Sequence, residues 1–378
     1  MLRITLLTIL LTIVLAACGP LSGLPASPVH QTLQPTATKA ALPSSVGGSL
    51  ASIPMGVGQG VEGGWFQLYF TDPSDPVAAQ TSGGPDDPLV AAIDAAGSSI
   101  DAAIYSLSLN SVRRALIRAH RRGVEVRVVM ESDNLDRSDP QALKDAGIPV
   151  IGDRGEGLMH NKFVVIDQAE VWTGSMNLTD EGTYADRNNL IRIRSPKVAA
   201  DYEAEFDEMF VDDKFGGERG RPTPNPRVTI ERTLLQIYFS PDDHVQAALL
   251  DLLDNSESSI YFLAFSFTAD PLGEAIQKRA QAGVTVSGVM DADQMTTNSG
   301  TEYDAFRTAG LDVRLDGEPG LMHHKVMIID GKIVVTGSYN FTASAEKYND
   351  ENVIVIHSPA IAAQYIEEFR RVYAAAQP

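Results

Sequence analysis

From residue 61 onward the chain is written twice. Ser98-Ser99-Ile100 returns as Ser258-Ser259-Ile260, and Gly123-Val124-Glu125-Val126 as Gly283-Val284-Thr285-Val286, both 160 residues later. Gly157-Leu158-Met159-His160-Asn161-Lys162 returns after 163 residues as Gly320-Leu321-Met322-His323-His324-Lys325. Gln67-Leu68-Tyr69-Phe70 returns after 169 as Gln236-Ile237-Tyr238-Phe239. Extra residues around Ala79–Pro85 in the first copy and near Thr296–Gly300 in the second account for the drift. Two long copies are not a solenoid, which stacks several short units. They predict two similar lobes, 61–215 and 228–378, related by a pseudo-two-fold axis. Pro222, Pro224 and Pro226 mark a linker over 216–227.

Within a copy the elements alternate. Asp87-Pro88 opens a helix that Gly97 stops, and Ile100–Leu107 reads as a buried strand. Asn110 to Arg122 reads as a helix, Val124–Met130 as a strand, and Asp139-Pro140 to Gly147 as another helix. Strand hairpins follow, turning at Asp167–Glu170 and Asp330-Gly331. This order predicts an α/β fold in which each lobe is a mostly parallel mixed sheet flanked by helices.

The first sixty residues differ in kind. One basic residue, Arg3, precedes an apolar run that ends in Leu15-Ala16-Ala17-Cys18. The run is shorter than the ~20 apolar residues of a membrane span, so residues 1–17 read as an export signal. The tetrad resembles the lipobox of bacterial lipoproteins, which implies cleavage before Cys18 and lipid on its sulfur. Cys18 is the only cysteine, so one molecule can form no disulfide. Residues 18–60, rich in Pro, Ser, Thr, Ala and Gly, read as a flexible tether. The expected location is extracytoplasmic, anchored to the cell membrane, or to the outer membrane if the host has one. Residues 61–378 carry 28 basic against 49 acidic residues, a net charge of −21. Such a surface disfavours sequence-independent nucleic-acid binding, which rests on phosphate neutralisation.

Polar residues stand where buried strands call for apolar ones. Counting from His160 and His323, Lys162 and Lys325 stand at +2, and Asp167 and Asp330 at +7. Gly174, Ser175 and Asn177, and likewise Gly337, Ser338 and Asn340, stand at +14, +15 and +17. Strand alternation puts His160 and Lys162 on one face, and Ser175 and Asn177 on one face of the returning strand. A pseudo-two-fold axis would bring the second set opposite. Two imidazoles and two ammonium groups suit a tetrahedral phosphate, whose oxygens they clamp as charge develops. One imidazole can attack phosphorus while the other protonates the leaving oxygen. Two lysines would repel a divalent cation, so no metal and no cofactor is expected. Asp167 and Asp330, at the hairpin turns, read as braces of the turn.

These residues resemble the paired HKD motifs of the phospholipase D superfamily, over roughly 65–373. The resemblance implies a two-lobed fold, a phosphohistidine intermediate without metal, and phosphate contacts from Lys162, Lys325, Asn177 and Asn340. It gives Ser175 and Ser338 supporting roles. Glu351, at +28 from His323, resembles the family's carboxylate that hydrogen-bonds a catalytic imidazole; the equivalent position after His160 is Asn188. The two histidines should therefore differ in basicity, with His160 the nucleophile and His323 the acid by resemblance. The leading expectation is hydrolysis of a phospholipid head-group phosphodiester. The alternatives are an endonuclease of the same superfamily cleaving DNA or RNA, or a non-catalytic surface binding protein. Two motifs in one chain require no oligomer to complete the site.

Overall fold

The computed structural model describes residues 50–155, 157–217 and 220–377; residues 1–17, read above as an export signal, and Cys18 lie outside them. The first lobe contributes β1 (Ala51–Ile53), β2 (Gln59–Glu62), β3 (Phe66–Phe70), β4 (Ser99–Ile104), β5 (Glu125–Met130), β6 (Val150–Gly152), β7 (Lys162–Ile166), β8 (Glu170–Gly174) and β9 (Asn189–Arg194). The second contributes β10 (Arg227–Ile230), β11 (Thr233–Ser240), β12 (Ser259–Ala264), β13 (Thr285–Met290), β14 (Asp312–Leu315), β15 (Lys325–Ile329), β16 (Ile333–Gly337) and β17 (Glu351–His357). The sheet orders are β1-β2-β3-β9-β8-β7-β4-β5-β6 and β10-β11-β17-β16-β15-β12-β13-β14. The lobes thus share one topology, as the internal repeat predicts.

Two expectations need correction. The sheets are mixed but not mostly parallel: only β4-β5-β6 and β12-β13-β14 pair in parallel, and every other described neighbour pair is antiparallel. Helical crossovers such as Asn110–Arg121 join those neighbouring strands. The β7–β8 and β15–β16 hairpins reverse direction instead, and a tight turn can only make an antiparallel pair. The segment 18–60, read as a tether, is also structured at its end, from Ala51. β1 and β2 add to the edge of the first sheet, with Gly60 paired to both Ile53 and Tyr69. Polar and small residues suit an edge hairpin that has little to bury.

Both faces of each sheet are covered, which explains the unbroken apolar runs. In β7, Phe163 and Val165 face one core while Val164 and Ile166 face another. The inner core is common to both lobes. The helices Pro196–Phe210 and Pro359–Ala375 fill it, contributing Tyr202, Phe206, Tyr365 and Phe369. Each of these helices begins Ser-Pro, with Ser195 accepting from Val198 N and Ser358 from Ile361 N. A hydroxyl cap followed by a fixed φ is a strong helix start. Among the described residues no helix is long and apolar enough to cross a membrane.

Candidate active site

The loops that precede the two histidines are stitched across the lobes. His160 N donates to Asp350 O at 3.0 Å and Asp350 N to Leu158 O at 2.9 Å. The counterparts are His323 N to Arg187 O at 3.0 Å and Arg187 N to Leu321 O at 2.8 Å. Each histidine is thereby docked onto the segment that leads into the other lobe's last strand. The residue after that segment reaches the ring. His160 Nδ1 lies 2.7 Å from Glu351 Oε2, and His323 Nδ1 lies 2.9 Å from Asn188 Oδ1. The partner at +28 from each histidine therefore serves the other one.

Local bonding settles which nitrogen holds the proton. Asn188 Nδ2 donates to Gly182 O at 2.8 Å and its Oδ1 accepts from Ser175 Oγ at 2.8 Å. The carbonyl end thus faces His323, so Nδ1 of that ring is the donor and Nε2 is left for the pocket. Glu351 Oε1 accepts from Asn349 Nδ2 at 3.3 Å while Oε2 takes the His160 ring. Each ammonium group turns back on its own motif: Lys162 Nζ donates to His160 O at 2.7 Å, and Lys325 Nζ to His323 O at 2.8 Å.

All four groups are buried, and burial dominates their electrostatics. It pushes the His160 imidazole down to about 4, against the pull of Glu351, and Lys162 down to about 7. His323 and Lys325 are driven well below their ordinary values by burial and then by the neighbouring lysines. Burial therefore makes the charged forms of these groups costly, a cost that a bound anion would relieve.

Ser175 and Asn177 lie beyond the returning strand, which ends at Gly174, and they do not share a role. Gly174 sits at φ +149, and a Cβ there would stand 2.3 Å from Asn189 O; Gly337 repeats this at φ +148, 2.1 Å from Asn352 O. Only glycine allows that approach. It turns Ser175 and Ser338 inward, where Ser338 Oγ accepts from Asn352 N at 3.0 Å. Asn177 and Asn340 are half-buried, and their Oδ1 atoms find no hydrogen-bond partner. Asp167 and Asp330 lie at the opposite end of β7 and β15 from the lysines. Asp167 accepts from the backbone of Gly97, Ser98 and Ser99, and Asp330 from Glu257, Ser258 and Ser259. Burial works against both charges, but these amides outweigh it and hold the carboxyls below the usual range.

Three pairs of residues take roles that the sequence reading did not give them. Tyr105 and Phe265 stand edge-on to His160 and His323 at 4.8 and 4.6 Å, and each lies under the neighbouring ammonium. Glu131 accepts from Met159 N and Asp291 from Met322 N, both at 2.9 Å, fixing the residue before each histidine. Asn352 Nδ2 donates to Asn161 Oδ1 at 2.9 Å, and Asn189 Nδ2 lies 3.1 Å from His324 Nδ1, bracing the floor across the lobes. Tyr105 with Phe265 and Glu131 with Asp291 recur at the repeat's offset of 160, a signal that could have found them. His324 points away from the pocket, to Glu368 Oε1 at 3.0 Å.

A family model described as the cardiolipin synthase, PLD-like domain matches residues 89–210 and again 249–373. Human mitochondrial cardiolipin hydrolase is 38% identical over 125 residues, 33% of this chain and 49% of that protein. A phospholipase D of Rickettsia bellii is 32% identical over 153 residues, 39% of this chain and 76% of that protein. The chain thus spans about half the length of the cardiolipin hydrolase it matches. The crystal structure of phosphatidylserine synthase from Haemophilus influenzae superposes with a TM-score of 0.61 at 14% identity, covering 82% of this chain and 87% of that one, which is a likeness of fold. With both motif halves meeting across one interface and the family model matching twice, the chain belongs to the phospholipase D superfamily.

Proposed function

We propose that this protein is a phosphodiesterase of phospholipase D type that hydrolyses a phospholipid head-group ester through a phosphohistidine at His160, without a metal ion. The observation that carries it is the crossed pairing of the two rings, His160 with a carboxylate and His323 with an amide. His160 Nε2 forms a bond to phosphorus as the bond to the head-group oxygen breaks. The phosphorylated ring is a cation, and Glu351 stabilises it. His323, protonated on both nitrogens once the anion is bound, gives its Nε2 proton to the departing oxygen. Its ring rests on a neutral amide, which keeps it a strong acid. His323 then takes a proton from water, the water oxygen bonds to phosphorus, and the His160–phosphorus bond breaks. Lys162 and Lys325 neutralise the phosphate oxygens where a divalent cation would otherwise be wanted. The amides of Asn177 and Asn340 would add donors to the phosphate oxygens. The sequence Leu15-Ala16-Ala17-Cys18 supports anchoring by lipid on Cys18, which would hold the enzyme beside a membrane substrate.

The test uses the full chain, mixed phospholipid vesicles, excess EDTA and ethanol. Phosphatidylethanol should form with the wild-type protein and not with His160→Ala. If the wild type makes none but cleaves single-stranded DNA, the lipid reading gives way to the endonuclease.

A further inference from the structure

Between His323 and Lys325 stands a fully buried histidine that the proposed reaction does not use. His324 Nε2 lies 3.0 Å from Glu368 Oε1, on the helix Pro359–Ala375. Burial works against the Glu368 charge, but His324, Arg371 and Arg187 outweigh it and hold the carboxyl below its usual range. Arg371 bonds to it directly, and Arg187 Nη1 stands 4.0 Å away. A carboxylate can only accept, so His324 carries its proton on Nε2 and leaves Nδ1 bare. Burial pushes the ring itself down, toward its neutral form.

From that bare nitrogen a run of hydrogen bonds leads back to the reaction centre. Asn189 Nδ2 donates to His324 Nδ1 at 3.1 Å and to Ser175 Oγ at 3.3 Å. Its Oδ1 is turned the other way, accepting from Thr336 Oγ1 at 2.9 Å and the Tyr365 hydroxyl at 3.2 Å. Ser175 Oγ accepts again from Asn189 N at 3.1 Å, so its one hydrogen goes to Asn188 Oδ1. That oxygen is the atom that receives His323 Nδ1. Were the Asn188 amide turned over, its Nδ2 would face Nδ1, and a doubly protonated His323 would set N–H against N–H. The acid form of the ring therefore depends on this orientation.

The other lobe repeats the run with one change. At the offset of 163, Glu205, Asn161, Asn352 and Ser338 stand for Glu368, His324, Asn189 and Ser175. Asn161 Nδ2 donates to Glu205 Oε1 at 3.1 Å. Asn352 Nδ2 donates to Asn161 Oδ1 at 2.9 Å and to Ser338 Oγ at 3.3 Å. An amide thus takes the place of the imidazole with the same polarity, donor toward the carboxyl and acceptor toward the asparagine. Two different side chains keeping one polarity identify that polarity as what the position requires.

We propose that His324 is a positioning residue: through Asn189 and Ser175 it holds the Asn188 carbonyl on His323, and so keeps that ring able to serve as the acid. This deepens the proposed function and rests on it for the role of His323. The test compares the full chain on mixed phospholipid vesicles, whose leaving alkoxide needs a proton, and on bis(p-nitrophenyl) phosphate, whose leaving group does not. His324→Leu can neither accept from Asn189 nor donate to Glu368. It should lose ~10–100-fold in phospholipid turnover, the scale of a buried group left unsatisfied. Its nitrophenolate burst should slow less than about threefold, because the run ends on His323 and not on His160. His324→Asn, which copies the other lobe, should recover phospholipid turnover to within about threefold of the wild type. Equal losses on the two substrates, no loss at all, or no recovery with asparagine would make His324 a packing group and overturn the inference. The wild type decides the matter even if the leucine variant does not fold. In nitrogen NMR of histidine-labelled protein, with the ring assigned by the signals that His324→Asn removes, His324 should hold its proton on Nε2 at neutral pH. A proton on Nδ1 overturns the inference. A wild type that hydrolyses neither substrate counts instead against the proposed function, and the spectrum still reads the polarity of the run.

Discussion

The half-site around His160 and the half-site around His323 are built on one plan and tuned apart. Each has an imidazole held at Nδ1 from the opposite lobe, a buried lysine bonded to the histidine carbonyl, and an aromatic ring beneath both. They differ in what holds the ring, Glu351 or Asn188, and in the ring beneath, Tyr105 or Phe265. A carboxylate stabilises an imidazolium that an amide merely orients. Duplication therefore supplied two similar groups, and a few substitutions gave each a distinct partner. That lesson is general: in a pseudo-symmetric centre, the functional assignment rests on the residues that break the symmetry.

The largest expected effect breaks the comparison outright. His160→Ala should lose ~10⁶-fold in turnover and form no covalent intermediate, as loss of a nucleophile does. His323→Ala should lose ~10²–10⁴-fold on phospholipid. With bis(p-nitrophenyl) phosphate, whose leaving group needs no proton, it should still show a burst of one nitrophenolate per enzyme. A burst from His160→Ala, and none from His323→Ala, would reverse the roles.

A smaller effect should come from exchanging the ring partners. Glu351→Gln should lower turnover ~10²–10³-fold, the scale of removing one electrostatic stabiliser. The nucleophile must be unprotonated, and burial holds His160 at about 4 against Glu351. Removing the carboxylate should therefore move the acidic limb of kcat/KM to lower pH. Asn188→Asp should act on the other ring, which must be protonated to serve as the acid. A carboxylate there raises its pKa and moves the alkaline limb to higher pH. If both variants moved the same limb, the two histidines would not differ as proposed.

The smallest effect on activity belongs to the motif aspartates. Asp167→Asn and Asp330→Asn should each cost ~1–3 kcal/mol of stability in urea titration, from lost backbone hydrogen bonds. Turnover of the folded enzyme should change less than about threefold. Both carboxyls titrate lower in the folded protein than in the unfolded chain. Their contribution is thus complete above the unfolded pKa and is lost as pH falls through the folded one. The variants should lack that acid-dependent part.

Much was determined by the sequence alone. The repeat dictated two lobes of one topology, because similar apolar patterns bury themselves in similar ways. Polar residues at +2 and +15 from each histidine marked the site, since buried positions tolerate them only with partners. The hairpin turn position also announced that Asp167 and Asp330 brace backbone. Other features depended on the tertiary structure. Strand direction outside β4-β5-β6 and β12-β13-β14 followed from which connections were hairpins, and 51–53 and 59–62 became strands because the sheet offered an edge. The crossed service of Glu351 to His160 and Asn188 to His323 could not be read from spacing. Distance along the chain carries no information about which lobe a side chain will face, and only the packing of the two sheets on their shared core decided it.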